Sequence, residues 1–140
     1  MNKIVIPLNP IPASRPKVSK WGVYYGKNHT QFIKDVEDLY LNKTLVAPKE
    51  KQKGLFKVNT IYYCEIAKST SKKKVNELDN TYCDKKIDLD NLDKLTRDEI
   101  MFRYIEDDCF IVDGRSTKVW SKNPRIEIKF SEIKKKTFDK

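Results

Sequence analysis

The stretch Ile87-Asp88-Leu89-Asp90-Asn91-Leu92-Asp93-Lys94 combines closely spaced carboxylates with a lysine. Asp88 and Asp90 are two residues apart, so in an extended segment their side chains lie on one face, while Ile87 and Leu89 point into a core. Carboxylate oxygens suit Mg²⁺, which takes one or two of them together with water and phosphate oxygens. The pattern therefore allows a metal site. An isolated Asp-x-Asp at the start of a helix is nevertheless more often a cap, because acidic residues are favoured there.

Further charged groups follow at spacings that fit the same site. Lys94 is four residues after Asp90, so on a helix the two share a face, where the ammonium could hold a scissile phosphate or the attacking water. The acidic group Glu106-Asp107-Asp108 comes 16 to 20 residues after the first motif. Adjacent carboxylates repel one another unless a cation or solvent screens them. Alone this group is typical of an exposed acidic turn. Beside the first motif it could complete a metal site, because a helix can bring its far end back next to a strand.

The charge distribution separates one acidic window from a basic remainder. The chain has 140 residues and a net charge of +9. Residues 86–113 carry nine acidic and four basic side chains, whereas residues 1–30 carry five basic side chains and no acidic one. A basic surface indicates an anionic partner, with nucleic acid first and an acidic membrane surface second. An acidic pocket within it suits a nuclease that uses a divalent metal, although an acidic helix face in a basic chain would give the same count.

Several classes of protein are disfavoured by what the sequence lacks. The three cysteines are far apart and His29 is the one histidine, which fits neither a disulfide framework nor a zinc site. The sequence has no apolar run long enough for a membrane helix and no signal-peptide pattern. We therefore expect a cytoplasmic protein with no membrane partner.

The hydrophobic pattern predicts a mixed α/β (α+β) domain. Its first half reads as a strand at Lys3–Leu8, an irregular proline-rich stretch at Asn9–Lys17, a strand at Trp21–Tyr25, a helix from about Thr30 to Val46 that Pro48 ends, and a long strand at Leu55–Ala67. Its second half reads as a flexible loop at Lys68–Lys86, a helix from Asp88 or Asp90 to about Tyr104, and strands at Cys109–Asp113, Thr117–Ser121 and Arg125–Phe130. The prediction is one domain over residues 1–130, with two main helices packed on a mixed sheet, and a flexible basic tail over residues 131–140.

The acidic motifs and the N-terminal segment together resemble the RusA family of Holliday junction resolvases. The resemblance rests on Asp88-Leu89-Asp90-Asn91-Leu92, on Lys94, and on Asp107-Asp108 followed by an apolar strand. The basic, proline-rich stretch Pro10–Lys17 is similar to the same region of that family. The helix after Lys94 is less apolar than is usual there, and residues 68–86 are longer and richer in lysine.

The resemblance implies a RusA-like fold and a Mg²⁺-dependent endodeoxyribonuclease, with Mn²⁺ as a substitute metal. It assigns metal binding to Asp88, Asp90 and Asp108, with Asp107 as a further candidate, and it makes Lys94 essential for cleavage. It also implies a homodimer that resolves four-way DNA junctions by paired symmetric nicks, in recombination and repair. Prophages often encode such proteins, so the resemblance implies a bacterial or phage-infected host cell.

The basic residues supply candidates for binding the DNA backbone: Arg15, Lys17, Lys20, Lys72, Lys73 and Lys74. Trp21, Tyr24 and Tyr25 could stack on bases, but a core position is expected for the inward-facing ones. Cys109 is expected to be buried, and His29 could cap the first helix. Three alternatives stay open: a non-catalytic DNA-binding module, a nuclease that cuts forks, flaps or RNA, and an RNA-binding regulatory protein.

Overall fold

The computed structural model describes residues 2–139, which form six strands and three α-helices. In chain order the elements are β1 (Asn2–Ile6), β2 (Lys17–Ser19), β3 (Gly22–Tyr24), α1 (Lys27–Leu41), β4 (Phe56–Glu65), α2 (Lys72–Leu78), α3 (Leu89–Glu99), β5 (Ile111–Ser121) and β6 (Arg125–Glu132). Two short 3-10 turns, Met101–Arg103 and Asp108–Phe110, lie between α3 and β5. Met1, the first residue of the predicted domain (residues 1–130), and Lys140, the last residue of the predicted tail (residues 131–140), lie outside the described residues.

Four of the strands form one mixed sheet in the order β1-β6-β4-β5. β4 is parallel to β5 and antiparallel to β6, and β6 is antiparallel to β1. A parallel pair needs a long crossover connection, which the segment with α2 and α3 provides. The predicted α+β domain with a mixed sheet is confirmed. Its main helices are α1 and α3, and α2 is an additional short helix.

The core lies between this sheet and the two main helices. Every second residue of β4 and of β6 is buried, as the alternation of Arg125–Phe130 predicts. The helices add Phe32 and Val36 from α1 and Leu92 and Leu95 from α3 to the same apolar cluster. Burying one such side chain contributes about 1.5–3 kcal/mol. Core packing therefore fixes α3, which carries the first acidic motif, against the sheet.

The segment before α1 contains a hairpin where one strand was predicted. β2 pairs with β3 in a separate two-stranded sheet, so Lys17 belongs to a strand and not to the irregular stretch. The helix that follows ends at Leu41, about five residues before the predicted end. Lys43 there has a φ of 64°, and its amide donates to the Tyr40 carbonyl oxygen. This left-handed residue closes the helix well before Pro48.

The prediction of a flexible loop at residues 68–86 is wrong. Ser71 caps α2 by accepting a hydrogen bond from the Lys74 amide. Beyond α2, the Cys83 amide donates to the Lys118 carbonyl oxygen and the Trp120 amide donates to the Thr81 carbonyl oxygen. These bonds attach the segment along the free edge of β5.

The second half of the chain differs from prediction at two further points. α3 ends at Glu99 and a 3-10 turn replaces its predicted last turn. β5 is one strand that continues through Gly114, where two strands were predicted. A Cβ atom at Gly114 would lie 3.0 Å from the Arg97 Nη2 atom, so this glycine lets the α3 side chain cross the strand closely. Cys109, expected to be buried, is exposed in the turn before β5.

The C-terminal end of the described chain joins the sheet slightly beyond the predicted boundary. β6 reaches Glu132, and the Ile133 amide donates to the Leu55 carbonyl oxygen. The mobility of the residues after that point stays a prediction. None of the helices within residues 2–139 is both long enough and apolar enough to cross a membrane.

Candidate active site

The first acidic motif lies at the start of α3, where Asp88 is the N-cap residue. Its carbonyl oxygen accepts from the Asn91 and Leu92 amides at 3.1 and 3.2 Å, but its carboxylate makes no capping hydrogen bond. Asp90 lies exposed in the first turn. Within residues 2–139, the side chains of Asp88, Asp90 and Lys94 form no ion pair. Both carboxylates are therefore available to another ligand at the positive end of the helix dipole.

The backbone around this motif is fixed from two sides. Lys118 on β5 donates through Nζ to the Lys85 and Ile87 carbonyl oxygens, at 2.8 and 2.7 Å. The Ala13 amide of the proline-rich segment donates to the Asn91 carbonyl oxygen at 2.8 Å. The entry of the chain into α3 is thus held against β5, and the N-terminal segment lies directly beside it.

Asp93 anchors α3 to the sheet from within the motif. Its carboxylate accepts hydrogen bonds from the Tyr62 hydroxyl on β4 and from the Ser116 hydroxyl on β5, the latter at 2.8 Å to both oxygens. Tyr62 is fully buried, and burial followed by the Asp93 charge raises the pKa of its hydroxyl. Asp90 comes three residues before Asp93, and Arg97 comes four residues after it. The hydrogen bonds of Asp93 therefore fix how α3 is rotated about its axis, and with it the side of the helix on which Asp90 and Arg97 lie.

The second acidic group lies in the turn that precedes β5. Asp107 caps this turn by accepting from the Cys109 amide at 2.9 Å, a bond that lowers the pKa of its carboxyl group. Burial, a hydrogen bond that protonated Asp108 donates to Asp107, and the charges of Asp107 and Asp98 raise the pKa of Asp108, while Arg97 opposes them. Along β5, Lys118 bonds to the Ile87 carbonyl oxygen, Ser116 bonds to Asp93 and Gly114 lies against Arg97, so the turn before β5 that contains Asp108 lies towards the second half of α3.

The structure brings some predicted site residues together and not others. Asp88, Asp90 and Lys94 share the first half of α3, whereas Asp108 lies in the turn before β5, towards the second half of the helix. Among residues 2–139, no three His, Cys, Asp or Glu side chains are close enough together to hold a metal ion. The donors still fit Mg²⁺ by their chemistry, because Asp88 and Asp90 are exposed oxygen ligands without a competing partner.

The basic residues predicted to bind DNA fall into two groups. Arg15, Lys17 and Lys20 are exposed on the proline-rich segment and its hairpin, which contact α3 at Asn91. Lys72, Lys73 and Lys74 form the exposed first turn of α2. That helix is attached to the far end of β5, where the Lys122 amide donates to Asp79.

Three residues near the site were not predicted to matter. Arg97 and Asp98 influence the pKa of Asp108 from the second half of α3, and Asp93 anchors the helix. A signal for them existed in the sequence, because Asp90, Lys94 and Asp98 are spaced by four residues, as are Asp93 and Arg97.

His29 fixes the N-terminal segment instead of capping α1. Its Nδ1 atom accepts a hydrogen bond from the Ser14 amide at 2.9 Å, and its ring stacks on Tyr25 with centroids 4.4 Å apart. Gly26 is the N-cap residue of α1. Burial lowers the pKa of His29, with Asp98 opposing and Lys94 assisting, so the folded protein favours the neutral ring.

This shift predicts a loss of stability on mild acidification. A group whose pKa is lowered by folding contributes stability that is complete above its unfolded pKa of about 6.5 and is lost as the pH falls below it. We expect the free energy of unfolding in urea to fall more steeply between pH 7.5 and 5.5 for the native protein than for His29→Asn, which does not titrate. Parallel pH profiles of the two proteins would contradict this role.

Comparison with known proteins identifies the family. A family model described as "Endodeoxyribonuclease RusA" matches residues 7–131, nearly the whole chain. No curated protein matches the sequence closely enough to count as a relative. The match covers the proline-rich segment, both acidic groups, every element from β2 to β5 and all but the last residue of β6. It favours a nuclease over the alternative of a non-catalytic DNA-binding module. The chain belongs to the RusA family of endodeoxyribonucleases and is a hydrolase that acts on DNA.

Proposed function

We propose that this endodeoxyribonuclease resolves four-way DNA junctions by paired symmetric nicks, with a divalent metal ion held at the start of α3. The observation that carries the proposal is the state of Asp88. This residue occupies the cap position of α3, yet its carboxylate does not cap, and Asp90 lies exposed beside it. Carboxylates placed together without protein partners are what a metal-dependent phosphodiesterase requires.

The metal ligands we propose are Asp88, Asp90 and Asp108, with Asp107 orienting the turn. Mg²⁺, or Mn²⁺ in its place, would supply a water of lowered pKa and positive charge at the scissile phosphate. Asp108 completes the proposed set from the turn before β5. Burial and the neighbouring acidic residues Asp107 and Asp98 raise its pKa, and a bound cation would offset this repulsion between carboxylates.

Lys94 is the residue we assign to the phosphate. It is exposed one turn after Asp90 on the same side of α3. An ammonium at this place stabilises the negative charge that develops on the phosphate oxygens during hydrolysis. Asp93 acts indirectly, because it holds the helix that carries Asp90 and Lys94.

In this proposal two groups of basic residues bind the phosphate backbone of the DNA. Arg15, Lys17 and Lys20 approach α3 through the proline-rich segment, and the lysines of α2 extend the basic surface along the edge of β5. Such contacts carry no sequence information, and the affinity that they give falls steeply with salt. Paired nicks need two sites, so we propose a homodimer with two-fold symmetry that acts on recombination or repair intermediates in the cytoplasm.

The test is cleavage of a labelled synthetic four-way junction, with a linear duplex and a fork as controls, in Mg²⁺, Mn²⁺ or EDTA. We expect symmetric nicks in the junction alone and no cleavage in EDTA. Equal cutting of the fork would replace junction resolution by a broader structure-selective nuclease. Cleavage that persists in EDTA would overturn the metal site.

A further inference from the structure

The hairpin before α1 exposes aromatic and apolar side chains on a separate two-stranded sheet. In this aromatic hairpin, defined as residues 17–25, Lys17 pairs with Tyr24 and Ser19 pairs with Gly22. Lys20 and Trp21 form the turn, and Gly22 has a φ of +122°, a conformation that favours glycine. The exposed apolar side chains are Val18, Trp21, Val23, Tyr24 and Tyr25.

The core position expected for the inward-facing aromatic residues is therefore wrong. Trp21 is 87% exposed and Tyr24 is 52% exposed. Apolar area contributes about 25 cal/mol per Å² when it is removed from water, and a buried aromatic side chain covers about 150–250 Å². A tryptophan at a hairpin tip forgoes that stabilisation, and exposed large apolar side chains gathered on one small hairpin are typical of a binding surface.

The charge of the hairpin indicates what the surface binds. Residues 1–30 carry five basic side chains and no acidic one, and the Lys20 Nζ atom lies 5.0 Å from the centre of the Trp21 ring. An aromatic ring beside a lysine complements a nucleotide, which offers a flat base and an anionic phosphate together. At this surface a second copy of the chain is a poor partner, because residues 1–30 of both copies carry basic side chains and no acidic one.

The stem of the hairpin connects it to the candidate active site. The Gly26 amide donates to the Ser14 hydroxyl at 2.9 Å, so the two ends of the hairpin are tied together. One residue earlier, Ala13 bonds to Asn91 in the first turn of α3. The tip at Trp21 lies five residues beyond the stem, a reach of up to about 16 Å in extended chain. A nucleotide held at the tip would therefore sit close to DNA positioned at Asp88 and Asp90.

The stacked arrangement of duplex DNA decides which bases are accessible. Bases within a duplex are covered on both faces, whereas unpaired bases and those that end a stack at a branch point are not. We propose that the aromatic hairpin stacks Trp21 on an exposed base at the branch point of the DNA substrate, with Lys20 on the adjoining phosphate. This inference rests on the proposed junction substrate, and it assigns the recognition of the branch to a surface separate from the metal ligands.

The test measures binding without cleavage, in EDTA, by fluorescence anisotropy of a labelled four-way junction and of a linear duplex. Stacking on one base is worth about 1–3 kcal/mol, so Trp21→Ala should weaken junction binding by about 5- to 150-fold and leave duplex binding unchanged. Trp21→Phe should restore most of the affinity. Lys20→Gln, the matched control for charge, should weaken both complexes to the same degree.

The remaining outcomes distinguish a failure of the hairpin inference from a failure of the proposed junction cleavage on which it rests. Equal affinity of native protein and Trp21→Ala for the junction would overturn it, as would an equal loss on junction and duplex. A change in the sedimentation of Trp21→Ala without DNA would also overturn it, because the patch would then join two copies of the chain. If the native protein cuts no junction but Trp21→Ala selectively loses binding to branched DNA, the hairpin inference stands and the proposed reaction falls.

Discussion

Replacing Asp90 by asparagine is expected to lower the rate of junction cleavage by about a thousand-fold or more while junction binding persists. The substitution keeps the size of the side chain but removes the negative charge that holds the metal, whose contribution to the transition state amounts to several kcal/mol. Asp90 is exposed and forms no ion pair within the described chain, so the fold should tolerate the change. Asp88→Asn should have the same effect. Single-turnover cleavage and anisotropy binding assays measure the two quantities separately.

Two neighbouring acidic residues provide the controls. Asp84→Asn removes an exposed carboxylate shortly before the motif and should leave the cleavage rate within a few-fold of the native value. Asp98→Asn changes the carboxylate beside Asp108 in the second half of α3. If Asp98→Asn abolishes cleavage and Asp90→Asn does not, the metal site lies at the second half of the helix and our assignment is wrong.

The position of Asp108 marks a limit of what spacing can predict. The sequence places Asp108 after a helix, which permits its return to Asp90, but the length of that helix decides where the turn meets it. Because α3 ends at Glu99 and a 3-10 turn follows, Asp108 lies towards the second half of α3, where Arg97 and Asp98 influence its pKa. The helix end depends on how Ile100 and Met101 enter the core, which is a property of the assembled domain and not of the local sequence.

The elements that were predicted correctly each have a recognisable pattern in their own local sequence. The alternation of Arg125–Phe130 and the β-branched run of Leu55–Ala67 correctly predicted β6 and β4, and the acidic motif correctly predicted the start of α3. α2 was missed because Lys72-Lys73-Lys74 reads as a solvated charge run, and Ser71 lacks the acidic residue three positions later that completes a capping box. The exposure of Trp21 depends on which surfaces the rest of the chain leaves uncovered.

Asp93 was taken as one more acidic residue of the window, and its role depends on partners that are distant in sequence. Tyr62 precedes it by 31 residues and Ser116 follows it by 23. No local pattern pairs them, because the contact exists only when α3 lies across β4 and β5. The short motif thus contains residues of two kinds, those left free for a ligand and one used to hold the helix.

Replacing Asp93 by alanine is accordingly expected to lower the free energy of unfolding by about 3 kcal/mol. The change leaves the buried Tyr62 hydroxyl without its acceptor, and each hydrogen bond to a charged group contributes about 1.5–3 kcal/mol. Urea unfolding followed by circular dichroism measures the change, and the exposed neighbour Asp98→Ala should stay within about 0.5 kcal/mol of the native protein.

A double-mutant cycle with Tyr62→Phe separates this anchor from a general effect of charge. Tyr62→Phe removes the hydroxyl that needs Asp93 and keeps the buried ring, so the double variant should be more stable than the sum of the two single changes predicts, by about 1–2 kcal/mol. Strict additivity would mean that the two side chains act independently. If Asp93→Ala also lost cleavage at full stability, Asp93 would belong among the ligands of the metal and not among the residues that position them.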